Sequence, residues 1–450
     1  MRHLRLPAAI LLMLALLPAC GSSDRGSLSI LTPWTTGTGL EDFTKLTDGF
    51  KKTPEGRGVD VQTTPTRATK QALEAAIHNH RPPDLAIVPT PGVLRDYVGQ
   101  GQVQNLNSVL DPAAIRREYG PTWLGFERAG TNNLYAVVVK ADLKSRIWYN
   151  KHTYDYPVPT TWSELTGVTD KIAGRNVTPW CMSMSDPPSS GWPGTDWIED
   201  ILLHQSGPIL YAQFAQSDLP WTSPQVKAAW QTWGDVIAPP GRVYGGRLSA
   251  MLGAYSDNDN PMFAKKPRCY LSHGAFLADD PPPPSPAKPP VAGVDGDFFT
   301  FPSLGAPGGT SYEVSADLMA MFHPSPQAEA FLRYLVSKDA QELWPAADKD
   351  AAFTPGIADL HDELAHRLKG PVGLKVDQIL TSGRPLCFDA SDWMPDVMAN
   401  AFYRATLTYL DNPSSARLDS LLQQLESVRQ KNHPKTSAAA SGTACGPAAT

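Results

Sequence analysis

Asp84-Leu-Ala-Ile-Val88, framed by Pro83 and by Pro89 and Pro91, is a short apolar run with turn residues at both ends. Such a run reads as a strand buried on both faces. Working upstream, Ala68–His78 reads as a helix and Gly58-Val-Asp-Val-Gln-Thr63 as another strand. Glu41–Lys52 is a helix with Phe43, Leu46 and Phe50 at helical spacing, and Ser27–Leu31 an alternating strand. Strand–helix–strand–helix–strand order predicts an α/β layer on a mainly parallel sheet. Ligands of such sheets sit at the carboxyl ends of the strands, here Thr32–Gly39, Thr64–Arg67 and Pro89–Gly92.

Downstream, Leu134–Lys140 and Arg146–Tyr149 read as strands leaving this first unit. Pro159-Thr-Thr-Trp-Ser-Glu-Leu165 starts a helix that Thr160 or Thr161 can cap, with Glu164 in its first turn. A second α/β pattern follows: a strand near Val177–Met184, helices near Trp197–Ser206 and Pro224–Val236, and a strand at Cys269–Ser272. Pro281–Pro290 is a polyproline-type surface loop, and Tyr312–Phe322 a strand returning to the first unit. Helices over Gln327–Leu343, His361–Leu368 and Met394–Gln430 close the chain before a polar tail.

The 450 residues suggest two domains or more, and 42% apolar against 19% charged residues is a globular balance. With 39 Lys and Arg against 45 Asp and Glu, the net charge is −6. No long basic block exists, which argues against nucleic-acid binding. The 12 Trp and 14 Tyr are the compositional clue to function, because they are flat and amphipathic.

Arg2, His3 and Arg5 precede the apolar run Leu6–Leu17, too short to span a bilayer but suited to a signal-peptide core. It ends at Leu17-Pro-Ala-Cys20, which resembles the bacterial lipoprotein box; the other reading is an ordinary signal cut after Ala19. Removing residues 1–19 takes Arg2 and Arg5 and no acid, so the charge moves from −6 to −8. A lipid on Cys20 would hold that acidic body on a flexible tether over residues 20–26. Export permits disulfides. Cys181, Cys269, Cys387 and Cys445 then remain, with three possible pairings. Cys181 and Cys269 lie in strand-like stretches and suit a cross-strand bridge. Cys387 is expected as a buried thiol, or loosely paired with Cys445 in a disordered tail, 433–450. No metal-type Cys/His spacing and no cofactor motif occurs; Gly37-Thr-Gly39 lacks the third glycine of a dinucleotide fingerprint.

Several of these stretches, in order and behind the lipoprotein box, resemble the substrate-binding lipoproteins of bacterial ABC importers, in the maltose-binding-like oligosaccharide group. They are Ile30–Thr36, Pro83–Pro89, Leu134-Tyr-Ala-Val-Val-Val-Lys140, Trp148-Tyr-Asn-Lys151, Gly191-Trp-Pro-Gly-Thr-Asp-Trp-Ile-Glu-Asp200, Tyr270–Phe276, Ser315–Phe322 and Met394-Pro395 with Ala401-Phe-Tyr403. Gly191–Asp200 and Cys387–Pro395 look most like the α-glucoside type. The resemblance implies a two-lobed periplasmic-binding-protein fold, type II-like, whose lobes close on ligand about a hinge. Lobe one would take 27–140 plus 313–360, and lobe two 141–312 plus 361–432. It further implies a monomer outside the cytoplasmic membrane that hands an oligosaccharide to a permease.

A pyranose needs a flat aromatic under its C–H face and polar groups around its hydroxyl rim. Trp34 reads as such a wall, with Thr36 on the rim, or as a packed turn. Arg67 can fork onto vicinal hydroxyls or form a surface ion pair. Thr90 is fixed between two prolines. Lys140 ends an apolar strand, which favours a cleft role over an inter-lobe ion pair. Trp192 resembles the Trp-Pro turn that the family uses for stacking. Asp196 caps a helix or accepts from ligand. His273 and Phe276 follow the Cys269 strand where the family places a stacking aromatic, though Phe276 stands where Trp is usual. Asp317, an acid inside an apolar strand, requires sugar hydroxyls or Lys140 as partner. Tyr403 aligns with a cleft aromatic or packs in the core. Asp389, with Asp392, binds hydroxyls or caps a helix. The rival functions are a secreted glycosidase, which needs two facing carboxylates, a receptor for another small polar solute, and an adhesion lipoprotein.

Overall fold

The computed structural model describes residues 26–35, 37–277, 290–347, 370–432 and 444–446. The leader with Cys20, Thr36, residues 281–289 of the proline-rich loop, the expected helix His361–Leu368 and most of the tail lie outside them.

The strand around Ala86 is wholly buried, and it builds the first sheet outward from itself. This β3 (Leu85–Val88) follows β1 (Ser27–Thr32) and β2 (Asp60–Pro65) in sequence and lies beside β1, which pairs with β2 on its far edge. β4 (Ala136–Leu143) leaves this sheet for the second one, made of β5 (Arg146–Asn150), β6 (Thr178–Cys181), β7 (Cys269–His273) and β8 (Gly296–Thr300) in the order β6-β7-β5-β8. β9 (Tyr312–Met321) returns to the first sheet, where its length lets it pair with β3, β4 and the short β10 (Leu386–Phe388).

The pairings are more mixed than the alternating pattern predicts. β1–β2, β1–β3, β9–β10 and β6–β7 run parallel, whereas β3–β9, β4–β9, β5–β7 and β5–β8 run antiparallel. The cause is the crossings. A strand entering a sheet from the other one starts at the shared edge and so runs against neighbours that end there. β10 also joins the first sheet, although the sequence assigned residues 361–432 to the second lobe.

Proline and serine split two helices that the sequence predicts as continuous. Gln327–Leu343 is two helices, Pro326–Leu335 and Lys338–Ala347, the second opened by Ser337 Oγ accepting from Ala340 N at 3.4 Å. Met394–Gln430 becomes Asp396–Asp411 and Ser415–Asn432, because Pro413 between them has no N–H to donate. Among the described residues no helix is long and apolar enough to cross a membrane.

Cys181 and Cys269 are bonded between the neighbouring strands β6 and β7. Cys387 is bonded to Cys445, which corrects the expectation of a buried thiol and of a wholly disordered tail. The open edge of β10 explains the pairing: Phe388 N donates to Ala444 O at 2.6 Å and Gly446 N to Leu386 O at 2.8 Å, so the tail adds one rung to the sheet.

The helix Trp162–Gly174 begins with a full capping box, Thr161 Oγ1 accepting from Glu164 N while Glu164 accepts from Thr161 N. Thr161→Ala is expected to cost about 1 kcal/mol in a denaturant titration. A second expectation concerns Glu127, fully buried at the end of the helix Pro112–Glu127. One carboxylate oxygen accepts from Val138 N at 2.9 Å and the other has no hydrogen-bond partner. Burial pushes this carboxyl up to about 8 from 4.5, against the pull of the Val138 N–H and Arg128. Between those values the folded chain holds a proton that the unfolded chain has released, so stability falls as pH rises toward 8. Glu127→Gln is expected to raise stability at pH 8 by on the order of 1–3 kcal/mol and to change little at pH 4.5. Denaturation curves at both pH values check this.

Candidate functional site

The two sheets are joined where β4 passes into β5 through Lys144 and Ser145, where β8 leads to β9, and where the chain enters β10. Ser145 ties the first two crossings together: its Oγ donates to Asp200 Oδ1 at 2.5 Å and accepts from Glu313 N at 2.7 Å, and its carbonyl accepts from Phe301 N at 3.0 Å. Beside these crossings a cleft of about 250 Å³ opens between the sheets.

On the side of the first sheet the cleft is lined by Trp34, Arg67, Thr90, Ser315 and Asp317. The three expected strand ends therefore meet at one cleft. Trp34 lines the cleft and packs on Phe43, ring centroids 5.3 Å apart. Thr90 precedes the helix Pro91–Gly99, yet its side chain makes no cap bond there. Burial raises Asp317 to about 6, with Lys140 pulling it down and Asp142 pushing it up.

On the opposite side stand Asp186, Ser189, Trp192 and Phe276. Gly191 aims Trp192. Its φ of 106° suits glycine, and a Cβ there would stand 2.3 Å from Tyr403 O. The Trp192 indole N–H donates to Asp186 Oδ2 at 2.9 Å, and its ring meets Tyr255 edge-on at 4.3 Å. Arg67 reaches across the cleft to the same Asp186 oxygen at 2.5 Å. A second ion pair across the cleft joins Lys70 to Asp396 at 3.1 Å. Both pairs are partly exposed.

The floor is charged and buried. Lys144 Nζ lies 2.9 Å from Asp196, 2.8 Å from Asp389 and 4.6 Å from the Trp192 ring centre. Burial works against its charge, but Asp196, Asp389, Asp392 and Glu313 outweigh it and hold its pKa well above the usual range. Burial likewise opposes ionisation of Asp389, yet Lys144 and the Asp392 N–H hold it down to about 2. Asp196 is driven up to about 8, by burial first, with Lys144 opposing and Asp389 adding. Glu313 is fully buried with neither carboxylate oxygen hydrogen-bonded, and burial together with Asp200 and Glu199 pushes it well above the carboxylate range. Carboxylate oxygens of Asp196, Glu313 and Asp389 gather within 4.8 Å, the spacing of a metal cage. The Lys144 ammonium already supplies the positive charge between two of them.

Eight of the twelve residues singled out from sequence line the cleft: Trp34, Arg67, Thr90, Trp192, Phe276, Asp317, Asp389 and Tyr403. Asp389 also caps the short helix Ala390–Trp393, accepting from Asp392 N at 2.9 Å, and Tyr403 is buried as well as lining the cleft. Three depart from expectation. Lys140 sits behind the wall, its ammonium held 3.4 Å from the buried Asp142 and 4.5 Å from the Phe276 ring centre. Asp196 lies one turn inside the helix Trp192–Ala215, so it is neither cap nor cleft lining; it holds Lys144. His273 is a core histidine, its Nε2 2.8 Å from Asp200 and its ring against Trp197 at 4.6 Å. Thr36 lies outside the described residues. Sequence reasoning missed Lys144 and Asp186. The signal for Lys144 was there: like Lys140, it is a cation at the end of the apolar β4.

A family profile described as bacterial extracellular solute-binding protein matches residues 35–342. The osmoprotective compounds-binding protein GgtB of Synechocystis sp. is 28% identical over 414 residues, 90% of this chain and 93% of that protein. The alpha-glucosides-binding periplasmic protein AglE of Rhizobium meliloti is 28% identical over 418 residues, 88% and 86% respectively. The solved structure of the bacterial solute receptor AcbH superposes with a TM-score of 0.76 at 17% identity, over 91% of this chain and all of that one. Likeness at that identity speaks for the fold, a mixed α/β architecture of two lobes about a cleft. With the profile spanning well over half of its length, and the cleft at the meeting of two sheets, the chain belongs to the bacterial extracellular solute-binding proteins.

Proposed function

We propose that this protein captures an oligosaccharide, an α-glucoside, in the cleft and delivers it to the membrane permease of an ABC importer. In this reading it works as a monomer, held outside the membrane by lipid on Cys20, and releases its ligand chemically unchanged. The carrying observation is the lining itself: Trp34, Trp192, Phe276 and Tyr403 offer flat apolar faces, and Thr90, Ser315, Asp317 and Ser391 stand among them as rim groups. The 28% identity to AglE supports α-linked glucose. The cross-cleft pairs Arg67–Asp186 and Lys70–Asp396 supply a reason for closure, since each joins groups from opposite walls. Asp389, engaged by Lys144, Ser391 and the Asp392 N–H, is a poor nucleophile, which speaks against glycosidase chemistry.

A second reading, a receptor for a smaller osmoprotective solute, is favoured by the 28% identity to GgtB across 93% of that protein. One experiment decides: a thermal-shift screen of the mature protein with maltose, trehalose, sucrose, maltotriose, glycerol glucoside and glycine betaine. A ligand at 100 times its Kd adds about 2.7 kcal/mol of apparent stability. A rise with α-linked glucosides, compaction in small-angle scattering and no product on incubation are expected. A rise with glycine betaine alone, or product formation, overturns the proposal.

A further inference from the structure

The cleft has two ends of different character. Burial apart, the charges acting on Asp317 are Lys140, Asp142, Arg67 and Lys144, whereas those acting on Tyr97 are Glu74, Asp396 and Asp96. Both residues line the one cleft. Asp317 therefore marks a charged end, where Lys144 lies against the Trp192 ring, and Tyr97 a second end beside the Lys70–Asp396 pair.

Three helices build the second end, each with one face. Leu73 lies one turn on from Lys70 in the helix Thr69–His78, Val93 and Tyr97 are one turn apart in Pro91–Gly99, and Ala399 lies one turn on from Asp396 in Asp396–Asp411. With Met394, these residues line it with carbon. The Tyr97 hydroxyl is itself sealed off, so it offers nothing to a ligand. The polar side chains here are largely engaged. Thr69 Oγ1 donates to Thr66 O at 2.8 Å and Asn400 Nδ2 to Asp396 O at 2.9 Å. Lys70 is held by Asp396 at 3.1 Å and by Glu74 at 2.9 Å, and Gln71 is exposed. A sugar ring laid against this surface would give up the hydrogen bonds that its hydroxyls make with water. An apolar group gains there in proportion to the area it buries.

We propose that this second end is a site for an apolar aglycone, so that the cleft takes α-glucosides carrying an alkyl or aryl group, the glucose at the Trp192 end and the apolar group against Leu73, Val93, Tyr97, Met394 and Ala399. This rests on the α-glucoside reading above and widens it from oligosaccharides to glucose joined to an apolar group.

The test is calorimetric titration of the mature protein with methyl, butyl and hexyl α-D-glucopyranoside, with maltose alongside. Each added methylene is expected to tighten binding about two- to fourfold, which makes the hexyl compound at least about 30-fold tighter than the methyl one. Ala399→Phe, which puts a ring into the second end, is expected to lower that ratio to below about 5. Val93→Ala, a milder change at the same end, is expected to weaken hexyl more than methyl. Equal affinities for the three chain lengths overturn the inference and leave the α-glucoside reading standing, as does binding of maltose with none of the three. A chain-length gain that persists undiminished in both variants places the alkyl group elsewhere and also overturns it. Silence from all four compounds overturns the α-glucoside reading and the inference with it.

Discussion

Lys144→Met is expected to cost about 3–5 kcal/mol of folding stability at pH 7.5, the loss typical of one buried charge partner removed. Methionine preserves the volume and the contact with the Trp192 ring, so the loss is electrostatic. The ammonium is the shared donor to Asp196 at 2.9 Å and Asp389 at 2.8 Å, on opposite flanks of the crossing. Without it Asp389 must either keep an uncompensated charge or take a proton. The pH dependence follows. In the parent, Asp389 is held at about 2 against an ordinary 3.8, so its contribution is complete above 3.8 and is lost as pH falls toward 2. In the variant the Asp392 N–H and the Ser391 hydroxyl still favour the carboxylate, but the ammonium's pull is gone and burial raises the carboxyl, so stability falls as pH rises. The gap between the two proteins is therefore widest at neutral pH and narrows in acid. Lys144→Met with Asp389→Asn is expected to lose less than Lys144→Met alone, because both charges leave together. Urea titrations at pH 4 and 7.5 measure all three. Equal losses at both pH values would show that the floor is held by packing.

The first sheet was legible because its information is local. Apolar runs framed by Pro83 and Pro89, and Phe43, Leu46 and Phe50 at one helical face, need no distant partner to be read. The cap at Thr161 was legible for the same reason. What escaped depends on contacts between distant segments. His273 follows a strand just as a cleft residue should, yet Asp200, 73 positions earlier, draws it inward. Cys445 sits among small polar residues that suggest disorder, and the open edge of β10 orders it. Lys140 and Lys144 both follow the apolar residues of β4, and of the two it is Lys144, in the passage into β5, that lines the cleft. Pro413 was a local signal, overrun by the apolar periodicity on either side of it. The cleft as a whole was readable from strand ends, whereas its charged floor was not, since that floor draws on three separate crossings.

Trp192→Ala is expected to weaken ligand binding about 50- to 100-fold, roughly 2.3–2.7 kcal/mol, while leaving the ligand-free fold nearly unchanged. The ring is half-buried on the cleft wall, so its removal opens space to solvent and leaves no closed cavity. The indole has two separable duties. Its face would carry the sugar, and its N–H fixes Asp186, which in turn holds Arg67 from the opposite wall. Trp192→Phe keeps a face and drops the bond, so it separates them. If stacking dominates, Phe recovers most of the affinity. If the Asp186 bridge dominates, Phe resembles Ala, and Asp186→Asn shows the same loss. Arg67 is half-exposed, so its pair with Asp186 adds little by itself and its effect should pass through closure. Calorimetric titration gives the affinity and scattering gives the closure. An alanine variant that binds as tightly as the parent, whatever its closure, would remove Trp192 from the binding wall and with it the aromatic account of recognition.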